Sequence, residues 1–231
     1  MYASYGVARV LDGVSINVAK GKITVILGTN GSGKTTLLKC IVGLARCESG
    51  NITLINGNVV NLVGKKPYEI ANLGIVYVPE GRRVLYSLTV KENLLVGAYK
   101  KEARKKFKEN LKMVYDLFPV LREREGQIAG TLSGGEQQML VIARGIMSNP
   151  KILLIDEPSQ GLAPTIIKGI MEKIKELKDH HGLTVLMSEQ NFAQAIKIAD
   201  WGYVLVQGKI KFEGGPSELA QQDLVKKLYF A

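Results

Sequence analysis

Eight residues constrain the fold of this chain more than any others. Gly28-Thr29-Asn30-Gly31-Ser32-Gly33-Lys34-Thr35 follows the β-rich run Ile23-Thr24-Val25-Ile26-Leu27 and precedes the apolar helical run Thr36-Leu37-Leu38-Lys39-Cys40-Ile41-Val42. A G-x-x-x-x-G-K-[ST] loop between a strand and a helix is a phosphate cradle. Its glycines let backbone N–H groups curl around phosphate oxygens, and the helix N-terminus adds a partial positive charge. Lys34 is expected to reach the β- and γ-phosphates of ATP, the Thr35 hydroxyl to ligate Mg²⁺, and Thr36 to complete the phosphate-binding set.

Such a loop needs an acid to hold the metal and a group to handle the attacking water, both at the end of a neighbouring buried strand. In Lys151-Ile152-Leu153-Leu154-Ile155-Asp156-Glu157, four apolar residues lead into two carboxylates. Asp156 is expected to take Mg²⁺, and Glu157 to position or deprotonate the water. Without the loop the same pair would read as a solvent-exposed acidic turn. A third segment, Leu132-Ser133-Gly134-Gly135-Glu136-Gln137-Gln138, fits a helix start. Ser133 and Glu136 form the S-x-x-E capping box ahead of an apolar face at Met139, Leu140, Ala143, Ile146 and Met147. The two glycines after the cap expose backbone N–H groups, which makes a second anion site in the same chain.

Around these motifs, Ile52-Thr53-Leu54-Ile55, Gly74-Ile75-Val76-Tyr77-Val78 and Leu183-Thr184-Val185-Leu186-Met187 read as further strands. Residues 91 to 147 turn helical and charged, with Leu111, Val114, Tyr115 and Phe118 at helix spacing. Helices are expected at about 164 to 179 and 192 to 199, with a hairpin around Gly208. The continuous apolar runs suit a buried, mainly parallel sheet. The predicted fold is α/β: a P-loop NTPase (RecA-like) core with a mainly parallel sheet, an antiparallel β subdomain and an inserted helical subdomain. The expected division of residues 1–231 is one domain, with its nucleotide-binding core at about 1–80 and 148–231 and its helical subdomain at about 81–147.

The net charge of +10 admits nucleic acid, an anionic membrane surface or a nucleotide as partner. The basic stretch Lys100 to Lys108 reads as a solvated helix face or as a contact with an anionic leaflet. No aromatics are interleaved to stack bases, so no nucleic-acid partner is expected. Cys40 and Cys47 lack metal or CxxC spacing and are expected to be small buried thiols. No apolar run approaches the roughly 20 residues that span a bilayer. The first six residues lack the regions of a signal peptide, so the expected location is the cytosol.

Taken together, LSGGEQQ, the phosphate loop and the LLIDEP strand resemble the ABC-transporter ATPase family over essentially the whole chain. The resemblance implies a head-to-tail dimer in which Ser133 and Gly135 contact the γ-phosphate held by the partner's loop. It implies that Ser159-Gln160-Gly161-Leu162 is the D-loop, passing signals across that dimer. It places Tyr5 where the family stacks an aromatic on adenine, although a packed surface tyrosine is the alternative. Family members normally carry several more residues, forming a first strand, before this tyrosine. The short lead here implies a start assigned late or an absent first edge strand, and it weakens the stacking role.

Two positions depart from the general pattern. Glu80 stands where most members have a Gln, and Gln190 where most have a switch His. Glu80 retains the capacity to reach Mg²⁺ or its water. Gln190 can hydrogen-bond the γ-phosphate or the water but cannot become a cation, so no proton shuttling is expected from it. With these departures, VPEGRR, LTVKENLLVGA, EPSQGLAP and SEQN resemble one of the two ATPase subunits of branched-chain amino-acid importers. That implies a related partner ATPase, or a homodimer in isolation, at the cytoplasmic face of the membrane. It also implies two membrane-spanning permease subunits and, indirectly, an extracytoplasmic solute-binding protein. Arg82 to Tyr86 corresponds to the segment that receives the permease's coupling helix, or is an ordinary connector. An importer of urea or amides, a soluble ABC ATPase not tied to transport, and a non-hydrolysing sensor are the competing readings.

Overall fold

The computed structural model describes residues 1–222; residues 223–231, which the expected core includes, lie outside the described residues. The chain opens with two short strands, β1 (Ala3–Tyr5) and β2 (Ala8–Leu11), paired as a hairpin. Then come β3 (Ile23–Leu27), α1 (Lys34–Ile41), the hairpin of β4 (Thr53–Asn56) and β5 (Asn58–Asn61), α2 (Pro67–Asn72) and β6 (Ile75–Val78). From there to residue 151 the regular structure is helical: α3 (Val90–Gly97), α4 (Lys101–Lys105), α5 (Phe107–Leu117), α6 (Pro119–Glu123) and α7 (Gly134–Met147). The chain then forms β7 (Ile152–Asp156), α8 (Pro164–His181), β8 (Thr184–Glu189), α9 (Phe192–Ala195), β9 (Trp201–Val206), β10 (Lys209–Gly214) and α10 (Pro216–Gln221).

Six strands form the central sheet in the order β10-β9-β3-β8-β7-β6. All neighbours are parallel except β9 and β10, which form the hairpin expected around Gly208. Every residue of β3 is buried, as the unbroken apolar run requires of a central strand covered on both faces. Side-chain alternation sorts the core into two layers. Val25, Leu153, Ile155, Val185 and Met187 face the layer containing α7 and α8. Ile26, Leu154 and Leu186 face the layer containing Leu37 and Leu38 of α1.

The predicted strand at 52–55 lies at 53–56, outside the central sheet, and pairs with Asn58–Asn61 across Gly57. The predicted helix over 192–199 is regular only through Ala195 and continues as turns. Residues ahead of Tyr5 do form a strand, β1. Cys40 is buried, which pushes its thiol up to about 11, whereas Cys47 is only half-buried and so departs from the expectation of two buried thiols. Both are free. In the basic stretch the charged side chains of α4 are exposed around a buried Ala103. Trp201, the single tryptophan, opens β9 opposite Thr24.

Candidate functional site

Parallel register gathers the site. Leu27 lies opposite Glu189, Asp156 opposite Ser188 and Val78 opposite Ile155, so the loops beginning at Gly28, Glu157, Gln190 and Pro79 leave one edge of the sheet side by side. In open α/β sheets this carboxyl edge is where ligands bind. The first loop turns tightly enough that a Cβ on Gly28 would stand 2.4 Å from Ser32 Oγ and 2.5 Å from the Leu205 carbonyl oxygen, so only glycine fits there. α1 starts at Lys34 with no side-chain cap and no acidic residue in its first turn, which leaves its N-terminal N–H groups facing the loop.

Lys34 is 5% exposed, and its Nζ donates to the carbonyls of Gly28 at 2.8 Å and Thr29 at 3.0 Å. It also forms an ion pair with Glu157 Oε1 at 2.9 Å. The Thr35 hydroxyl donates to Asp156 Oδ1 at 3.1 Å. The loop and the acidic strand end, 121 residues apart in the chain, therefore meet through two side-chain pairs. Among the described residues Ser32 Oγ is buried with no hydrogen-bond partner, an orphaned polar atom inside the loop.

Asp156 is fully buried. Besides Thr35, its oxygens accept from the Ser188 hydroxyl and, at 2.7 Å, from the Tyr77 hydroxyl. Burial and the bond to Asp156 raise the Tyr77 pKa, and Glu80 follows two residues after Val78, which lies opposite Ile155 at the same edge of the sheet. Glu157 adopts a left-handed backbone at φ +48°, unusual for a residue with a Cβ. Its N–H donates to both the hydroxyl and the carbonyl of Ser188, and its carboxylate accepts from the backbone N–H of Gln190 at 3.2 Å. The Gln190 side chain is exposed beside it. Sequence reasoning assigned nothing to Tyr77, Ser188 or Glu189. The signal for the first two lay in strand register, since Tyr77 and Ser188 occupy the strands on either side of β7.

Ser133 caps α7: its hydroxyl accepts from Glu136 N–H while Glu136 Oε2 accepts from Ser133 N–H at 2.8 Å. Arg124 pairs with Glu136 Oε1 at 3.0 Å. A Cβ on Gly134 would meet Arg82 Nη1 at 2.4 Å, so that glycine makes room for a guanidinium. Arg82, itself at φ +48°, donates to the carbonyls of Gln160 and Gly161, tying the 79–83 loop to the turn after β7 beside the start of α7. Tyr5 is 54% exposed at the end of β1, and its hairpin abuts the phosphate loop where Val10 and Leu11 touch Gly33.

The donor set suits Mg²⁺ with a nucleotide. Hydroxyl and carboxylate oxygens converge at Thr35 and Asp156, and among the described residues the hydrogen-bond partners of Asp156 are neutral hydroxyls. Among the described residues no group of three or more His, Cys, Asp or Glu could hold a metal by itself. Phosphate oxygens and water would have to complete the coordination, as is usual for Mg²⁺.

The ABC transporter family model matches residues 11–160. The chain belongs to the ABC transporter family. It is 44% identical over 225 residues, 97% of this chain and 94% of the relative, to the high-affinity branched-chain amino acid transport ATP-binding protein BraG of Pseudomonas aeruginosa. A solved ATP-binding cassette of an ABC transporter in its ADP conformation superposes with a TM-score of 0.85 at 32% identity, covering 100% of this chain and 96% of that one. A second cassette, solved as a dimer in a post-hydrolysis state with ADP and Pi, superposes at 0.75 with 27% identity and 93% and 95% coverage. This member of the family is thus a nucleotide-binding ATPase. Among the described residues of this ABC ATPase no helix is long and apolar enough to cross a membrane.

Proposed function

We propose that this ABC ATPase hydrolyses Mg-ATP to drive a membrane importer of branched-chain amino acids, working as one half of a head-to-tail ATPase dimer against two permease subunits. The observation that carries the reading is the junction of Lys34 with Glu157 and Thr35 with Asp156, which joins phosphate binding to hydrolysis in one buried cluster. The solute is inherited from the similarity to BraG, since the ATPase fold itself does not touch cargo.

Bound Mg-ATP supplies the phosphoanhydride and the Lewis acid that polarises it. The residues of the chain then have separable tasks. Backbone N–H groups of Gly31 to Thr36 cradle phosphate oxygens, with Gly28, Thr29 and Asn30 shaping the turn. Lys34 turns from Glu157 toward the phosphates, and Thr35, Asp156 and Glu80 hold the metal or its water. Glu157, freed from Lys34, accepts the proton of the attacking water or orients it, and Gln190 donates a hydrogen bond without supplying a proton.

Ser133, Gly134, Gly135 and Glu136 present the start of α7 to the nucleotide held by the second subunit. The second subunit is a related ATPase, or a second copy when the chain is isolated. Tyr5 packs on adenine. The exposed apolar residues Leu85, Tyr86, Leu95, Val96 and Tyr99 offer a docking face for the permease at the cytoplasmic side of the membrane. In this reading residues 81–147 act as the helical subdomain between two core segments.

The test is ATP turnover by the purified chain, alone and mixed with a candidate His-containing partner ATPase, with Lys34→Ala and Glu157→Gln as controls. Turnover that rises on mixing and vanishes in both variants supports the reading. No turnover in any pairing returns the chain to a nucleotide sensor.

A further inference from the structure

Glu189 ends β8 as a fully buried carboxylate with no role in the mechanism above. Among the described residues it makes no ion pair, and the charge that bears on it is another carboxylate, Glu157. Burial pushes its pKa up to about 7 even though its hydrogen bonds pull the other way. A buried acid without a counter-ion is costly and survives only when its oxygens are satisfied. Three donors satisfy this one. Ser159 N–H donates to Oε1 at 3.0 Å, the Ser159 hydroxyl to Oε2 at 2.7 Å, and Asn191 N–H to Oε2 at 3.2 Å.

Those donors belong to the two loops that carry the hydrolytic groups. Glu157 is bonded through its N–H to Ser188, and two residues later Ser159 is bonded twice to Glu189. The turn bearing Glu157 is therefore pinned at both ends to consecutive residues of β8. Glu157 itself sits at φ +48°, a backbone geometry that persists only when its surroundings hold it. Packing alone would be met at lower cost by an apolar or amide side chain at 189.

We infer that Glu189 is a positioning residue for hydrolysis, a buried clasp that fixes the Ser159 turn against β8 and so sets where the Glu157 carboxylate stands relative to the phosphate loop. The inference rests on the reading of Glu157 as the group that handles water.

The experiment measures kcat and KM for ATP and the affinity for Mg-ADP of the full chain, in the pairing of ATPase subunits that turns over fastest. The variants are Glu189→Gln, Glu189→Ala, Ser159→Ala and Glu157→Gln. Both Glu189 variants are expected to lower kcat about tenfold or more, because misplacing a reacting group by about 1 Å costs that much or more. KM and Mg-ADP affinity should stay within about twofold, since no phosphate contact is lost. Ser159→Ala, which removes one of the three donors, should lower kcat by a few-fold and add nothing on top of Glu189→Ala. Should Glu189→Ala fail to fold, Glu189→Gln and Ser159→Ala decide. Wild-type kcat in those two, or kcat and KM worsening together in step with a lowered melting temperature, overturns the inference. Full activity in Glu157→Gln would overturn the reading beneath it; loss of activity in Glu157→Gln with full activity in the Glu189 variants overturns the inference alone.

Discussion

Removing the charge from Glu157 should weaken the folded protein, tighten nucleotide binding and stop turnover, all for one reason. The Lys34–Glu157 pair is buried at 2.9 Å, a gross attraction of about 6 kcal/mol at an effective dielectric constant of about 20. Desolvation of both charges offsets much of this, and breaking one side of a buried pair costs about 3–5 kcal/mol when the other is left alone. Lys34 is not left alone, because the Gly28 and Thr29 carbonyls remain. In Glu157→Gln an amide can accept from only one of the two donors that face the carboxylate, Lys34 Nζ and Gln190 N–H. A net loss of about 1–2 kcal/mol follows, which lowers the melting temperature by about 2–8 °C for a chain of this size. In the proposed mechanism Lys34 leaves Glu157 to reach phosphate, so the same 1–2 kcal/mol no longer opposes binding, and ATP affinity should rise by about 5- to 30-fold. Turnover should fall by about 10²–10⁴. Calorimetric melting with and without ATP, a titration using a fluorescent nucleotide and a phosphate-release assay measure the three. An unchanged melting temperature combined with unchanged ATP affinity would refute the claim that the pair competes with phosphate for Lys34.

Asp156→Asn should raise the Mg²⁺ concentration for half-maximal turnover by about tenfold or more, because Asp156 loses the charge that a hard cation prefers; a magnesium titration at saturating ATP checks this. Ser133→Ala removes the cap of α7 and should cost about 1 kcal/mol, or about 2–4 °C in melting temperature, with a loss of turnover larger than that stability change explains. Gly134→Ala should push the Arg82 guanidinium off the Gln160 and Gly161 carbonyls, because the tip of a flexible side chain yields before a helix does. In the Arg82→Ala background the same change should cost almost nothing, a coupling of about 0.5–1 kcal/mol in a double-mutant melting cycle.

The elements that were legible in the sequence were those whose neighbours along the chain determine them. β3, the phosphate loop and α1 read directly because an apolar run, three glycines and a second apolar run follow one another, and Asp156 and Glu157 were legible from the apolar run that ends in them. The β4–β5 hairpin was half visible: Thr53–Asn56 has strand residues, but its partner Asn58–Asn61 begins and ends in asparagine, which favours turns. β1 and β2 are too short and too exposed to carry a periodic signal. The hydrogen-bonded surroundings of the site were invisible for a different reason. Tyr77, Ser188 and Glu189 reach Asp156 and Ser159 only because β6, β7 and β8 lie in a particular register, and register is set by packing across the whole sheet. The ion pair between Lys34 and Glu157 was likewise unforeseen, since each residue was assigned a ligand-directed task of its own.

The placement of the single tryptophan decides what intrinsic fluorescence can report. Trp201 is paired with Thr24, so its level in the sheet is four residue steps from Gly28, about 13 Å at the usual rise per residue. It lies near the opposite end of the strands from the phosphate cradle and is 39% exposed. Phosphate groups at the cradle are too far along the strand to touch the indole. Its emission therefore follows unfolding of the central sheet with little direct contribution from occupancy, and a nucleotide-dependent signal requires an added fluorophore at the carboxyl edge. A change in Trp201 emission on adding ATP would in turn mark a rearrangement that has travelled the length of β3 or β9.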